Sequence, residues 1–177
     1  MHEPIPTTFW IFWMLAFLGF PIGGLAATTR VGPVTDPGKG TQAGIVTGFF
    51  IGILQWFALH IVFSSLQIYW ILATMMSMGF GLGLSIQLFG DAMDDDFLIW
   101  RALLTGLCIG IGQWLVLRGV LPNAAAWILV ISLAWPLGWF ITRRIGVDLN
   151  PKWSVFGAAG ALSFQVVTGL ALYFLMG

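Results

Sequence analysis

The sequence predicts an all-α membrane protein: six transmembrane helices forming three tandem two-helix repeats around a pseudo-threefold axis along the membrane normal. Three observations predict it. Of 177 residues, 59% are hydrophobic and 8% charged, against roughly a quarter charged in a typical soluble domain. Such a chain has too little polar surface to cover a soluble globule, so lipid must be its main partner. Six apolar runs are long enough to cross a bilayer, and the second and fourth align without a gap at an offset of 58 residues.

Spanning a hydrocarbon core of about 30 Å takes about 20 helical residues. The runs that qualify are 9–29, 43–63, 67–90, 98–119, 123–142 and 153–176. Glu3 and no basic region precedes the first, which reads as a retained helix and not a cleaved signal peptide. Residues 30–42, with Pro33, Pro37 and three glycines, read as the first loop. Residues 91–96 are acidic and residues 143–152 hold most of the remaining charge. The joints at 64–67 and around Pro122 and Asn123 are short and nearly uncharged. One single domain of three units, approximately 8–64, 65–121 and 122–177, is therefore expected.

Lys and Arg are retained on the cytoplasmic side. Arg30, Lys39, Arg101, Arg143, Arg144 and Lys152 share one side and Arg118 alone takes the other, which places both termini outside the cytoplasm. The expected location is a cell membrane, a bacterial inner membrane in particular. Trp10, Trp13, Trp70 and Trp127 open odd helices at the outer interface, and Trp100, Trp139 and Trp153 fall at the inner one, so all seven read as interfacial anchors. Trp56, Trp114 and Trp135 lie deeper.

The repeat rests on polar and small residues in fixed register. Thr47, Gly48, Gly52, Gln55 and Trp56 match Thr105, Gly106, Gly110, Gln113 and Trp114. The odd helices carry Pro21-Ile22-Gly23, Gly79-Phe80-Gly81 and Pro136-Leu137-Gly138, with Pro21 and Pro136 as expected kinks. From Pro21 to Gln55 and from Gly79 to Gln113 are 34 residues each, and from Pro136 to Gln165 are 29. A shorter loop brings Gln165 into the pattern. Gly48, Gly52 and Gln55 share a helical face, as do Gly106, Gly110 and Gln113. Small residues allow close helix approach and glutamine is costly to show to lipid, so these faces turn inward. Gly44 and Gly157 are further helix-packing candidates.

Three two-helix units with proline in two odd helices are similar in broad plan to the mitochondrial carriers. That family follows its helix proline with an acidic and then a basic residue, whereas Pro21 precedes Ile22-Gly23-Gly24 and Pro136 precedes Leu137-Gly138-Trp139. No charged gate or substrate carries over.

Gln55, Gln113 and Gln165 form the most distinctive polar set. Their first reading is interhelical hydrogen bonding, at about 1 kcal/mol per bond; the second is a path for a small neutral solute or ion along the axis. His60 is a polar interface residue by default, with ligation of a haem or chlorin as the alternative; no other cofactor is expected. Asp91, Asp94, Asp95 and Asp96 read as a solvated loop, because no second acidic group stands ready to complete a magnesium site. Cys108, the one cysteine, reads as a small core residue. Equal numbers of basic and acidic residues exclude a broad face for nucleic acid. No catalytic constellation is present. The expected function is a non-catalytic accessory or scaffold subunit that packs with other membrane proteins or with itself. A small-solute or ion channel and a pigment- or haem-binding subunit are the alternatives.

Overall fold

The computed structural model describes residues 5–92, 95–149 and 157–176, with 95 and 96 as backbone alone. Six helices are long and apolar enough to cross a membrane, and the protein is an all-helical membrane protein. Helix α1 covers Thr7–Val31, α2 Pro37–Val62, α3 Tyr69–Phe89, α4 Asp95–Leu117, α5 Ala126–Arg144 and α6 Ala158–Met176. The shortest, at 19 residues, still rises about 28 Å at 1.5 Å per residue. Asp94, Lys152, Trp153 and the start of the sixth run lie outside the described residues.

The ends follow local chemistry. Helix α2 begins six residues before the expected 43 because Asp36 caps it, its Oδ1 accepting from Lys39 N–H at 2.9 Å. Pro37 occupies the first turn, where a missing N–H costs nothing. Gly32 ends α1, Gly90 ends α3 and Gly146 follows α5, all with φ between 75 and 82°, a region that favours glycine. Helix α1 is interrupted by a 3₁₀ turn, Ala16–Leu18. Pro21 lies just beyond and cannot donate to the Phe17 carbonyl. Pro136 lies within α5, whose helix is continuous on both sides of it.

Each helix packs against its neighbours in sequence and α6 packs against α1, closing a ring. Among the described residues no other helix pair comes into backbone contact. The ring's centre is filled by side chains, whereas large apolar groups such as Leu25, Phe80, Leu129 and Phe174 point outward.

Glycine sets how close the backbones come. A Cβ on Gly44 would stand 2.6 Å from the Met78 carbonyl oxygen and 2.7 Å from Gly79 Cα, and one on Gly48 would stand 2.7 Å from Met75 Cα. Gly52 faces Ile71 and Thr74 in the same way. One edge of α2 thus lies directly on α3. Gly106 and Gly110 bring α4 equally close to Ile128, Ile131 and Trp135 of α5. Gly157 precedes α6 and is not within it; its N–H donates to Thr142 Oγ1 at 3.2 Å.

Overpacking at such a contact costs about 1–3 kcal/mol. Gly44→Ile is expected to lower stability by that order in thermal unfolding of the detergent-solubilised protein. Gly119→Ala, where the nearest atom is 3.7 Å away, is expected to change stability by less than about 0.5 kcal/mol.

Candidate functional site

The three glutamines meet. Gln55, Gln113 and Gln165 are at most 1% exposed, and each comes from a different even helix. Gln55 Nε2 donates to Gln165 Oε1 at 3.1 Å, and Gln113 Nε2 donates to Gln55 Oε1 at 3.5 Å and to Thr74 Oγ1 at 3.0 Å. The odd helices complete the set. Trp127 Nε1 donates to Gln113 Oε1 at 2.9 Å. Gln165 Nε2 donates to the Trp13 carbonyl, while Trp13 Nε1 donates to the Gln165 carbonyl at 2.9 Å. Thr74 Oγ1 passes its own proton to the Trp70 carbonyl at 2.9 Å.

One hydrogen-bond network therefore takes a member from every helix: Trp13, Gln55, Thr74, Gln113, Trp127 and Gln165. Every amide nitrogen and oxygen of the three glutamines has a partner. The indole N–H of Trp70 is different; it is buried with no acceptor.

Aromatic rings surround the amides. Trp13 and Trp70 each pack against Trp127, at 6.5 and 6.4 Å between ring centroids. Further along α1, Phe20, Trp135 and Phe164 pack against one another at 5.3–5.9 Å. Both groups belong to one continuous core.

These positions correct the reading of Trp13, Trp70 and Trp127 as interfacial anchors. All three are fully buried and turn toward the centre of the ring. An indole buried in apolar surroundings needs an acceptor, and the central amides and carbonyls supply one to two of the three. A signal in the sequence marks them: they are spaced 57 residues apart, from 13 to 70 and from 70 to 127. Trp100 is exposed, in keeping with an anchor, and Trp10 lies half-buried beside Tyr173.

The other candidates stay apart from this network. His60 is exposed, with its ring against Trp56 at 5.2 Å and Nδ1 3.4 Å from the Leu66 carbonyl. Among the described residues no three His, Cys, Asp or Glu side chains gather as metal ligands. Arg101 is 5% exposed and donates to the Ala92 carbonyl at 3.0 Å, so it is tied to the loop between α3 and α4. The side chains of Asp94, Asp95 and Asp96 lie outside the described residues. Cys108 is half-buried, with its Cβ beside Gly81.

Comparison with known proteins returns no matching family model, no matching curated protein and no matching solved structure.

The network's geometry separates its members energetically. Trp127→Phe strands Gln113 Oε1, whereas Trp70→Phe removes an N–H that has no acceptor. In equilibrium unfolding from mixed micelles, Trp127→Phe is expected to cost about 1 kcal/mol more than Trp70→Phe. Gln55→Leu breaks bonds to both other glutamines and is expected to cost about 1–2 kcal/mol. Replacing all three glutamines by Leu is expected to cost less than the sum of the single changes, because no half-satisfied amide remains.

Proposed function

We propose that this chain is a non-catalytic membrane subunit, a scaffold or accessory protein that acts by packing against other membrane components or further copies of itself. The observation that carries the reading is the state of the central polar groups. A solute path needs polar atoms free to replace a solvent shell; here the glutamine amides are buried and spend their bonding capacity on one another and on flanking helices. The same saturation weighs against the channel reading. What the protein offers its surroundings is a broad apolar exterior on a closed ring.

The architecture proposed with this function is three tandem two-helix units about a pseudo-threefold axis. Several correspondences support it. Gly23 approaches Thr47, and Gly81 approaches Thr105, both pairs related by the offset of 58. Gly48 and Gly52 press α2 on α3 as Gly106 and Gly110 press α4 on α5. Trp56 meets His60, and Trp114 lies beneath Arg118 at 5.7 Å. Left-handed glycines follow all three odd helices.

One apparent mismatch supports the same reading. Trp13 precedes Pro21 by eight residues, whereas Trp70 precedes Gly79, and Trp127 precedes Pro136, by nine. The 3₁₀ turn at Ala16–Leu18 rises about 2.0 Å per residue instead of 1.5 Å, so both stretches cover about 13.5 Å. A missing residue is thereby absorbed within α1.

Two measurements test the proposal. Reconstituted into proteoliposomes, the protein is expected to give no flux of water, ions or small neutral solutes above that of empty vesicles. Crosslinking in native membranes is expected to yield a discrete complex of fixed stoichiometry. Recovery as a lone monomer with transport activity overturns it. For orientation, an impermeant thiol reagent applied to intact cells is expected to label Ser65→Cys and not Thr35→Cys in a Cys108→Ala background, placing both termini outside. The reverse pattern inverts the topology.

A further inference from the structure

On the outside of the ring, α1, α2 and α3 leave a groove of about 360 Å³ between them. Ala26 of α1, Ile45, Phe49 and Phe50 of α2 and Met75 of α3 line it, with Arg30 at one end. Arg30 lies in the last turn of α1, at the membrane boundary. Toward the bilayer interior the groove is bounded by Phe50, at the level where Gly19 of α1 meets α2.

Two features of sequence create this shape. Gly19 and Gly23 draw α1 onto α2 toward the bilayer centre, and the Gly40, Gly44 and Gly48 edge draws α2 onto α3. Ala26, one turn before Arg30 on the same face, is too small to close the space beneath the guanidinium. Among the described residues Arg30 has no carboxylate partner. An arginine is suited to bidentate hydrogen bonding with phosphate and carboxylate.

We infer that this groove is a binding site for one anionic phospholipid, with its phosphate on Arg30 and an acyl chain lying along Ala26, Phe49, Phe50 and Met75. The occupant is a lipid because the groove opens sideways to hydrocarbon and is apolar below Arg30. It is anionic because the one charged group at its end is an unpaired cation. The volume, close to the lower bound of about 300 Å³ for small-molecule sites, holds part of one chain and leaves the rest in the membrane. The site is independent of the scaffold reading.

Native mass spectrometry of the detergent-solubilised full chain tests it, with palmitoyl-oleoyl phosphatidylglycerol, the matching phosphatidylcholine and inorganic phosphate as probes. One phosphatidylglycerol is expected to be retained by roughly tenfold over phosphatidylcholine, whose choline cation offsets the phosphate charge that faces Arg30. Arg30→Gln is expected to bring the two lipids near parity, and Ala26→Phe to reduce retention of both, with circular dichroism unchanged. Arg144→Gln, whose guanidinium lies over Phe140, is expected to keep the preference. Equal retention of both lipids by the unaltered chain, or a preference that survives Arg30→Gln, overturns the site. Displacement of phosphatidylglycerol by millimolar inorganic phosphate, or undiminished binding by Ala26→Phe, overturns the acyl groove.

Discussion

A buried amide in a membrane protein cannot turn to water, and the structure is organised around three of them. Gln55, Gln113 and Gln165 each present donors and an acceptor in an apolar interior, where an unpaired polar group is costly. The solution is mutual: the amides bond to one another across the ring and to Trp13, Thr74 and Trp127 at its edges. Because the partners come from all six helices, the relative depth of every helix is fixed by one set of bonds. Lipid-facing apolar packing has no such directionality, since lipid tails and leucine side chains are equally apolar. The polar centre therefore supplies register and the glycine edges supply distance.

Close approach and buried bonding depend on each other. The glutamine side chains reach across the ring because the even helices are held near the axis by their contacts with the odd ones. Gly44, Gly48, Gly52, Gly106 and Gly110 set those contacts with almost no clearance. A larger residue at any of them would push a backbone outward and lengthen bonds at the centre, where the weakest link is already 3.5 Å. Trp13, Trp70 and Trp127 then fill the space around the amides.

Much of this was legible in the sequence. The six spans follow from hydropathy alone, and the three glutamines stand out because an amide within an apolar helix has few places to go. The tryptophans were misread for a physical reason. Position near a helix end suggests the membrane interface, but facing direction decides burial, and facing direction depends on neighbours in the ring. The even spacing of 57 residues sets Trp13, Trp70 and Trp127 apart from the other tryptophans without saying that they face inward. The early start of α2 was hidden as well, since Pro37 and three glycines resemble a loop until Asp36 is recognised as the cap of a proline-led first turn. The groove beside Arg30 is a property of three helices together, and no single stretch of sequence encodes it.

The ring also has one joint unlike the others. Five of its contacts lie between helices consecutive in sequence, where a short loop keeps the partners close. The sixth joins α6 to α1, residues about 150 positions apart, and it is closed by a reciprocal pair: Trp13 Nε1 donates to the Gln165 carbonyl while Gln165 Nε2 donates to the Trp13 carbonyl. Gly169 admits the Trp13 and Trp10 rings at the same seam. Reciprocal bonding suits a joint without a tether, because two bonds running in opposite directions between side chain and backbone tie both helices at one level. Gln165 is also the acceptor for Gln55. Closure of the ring and saturation of its polar centre thus meet at this residue.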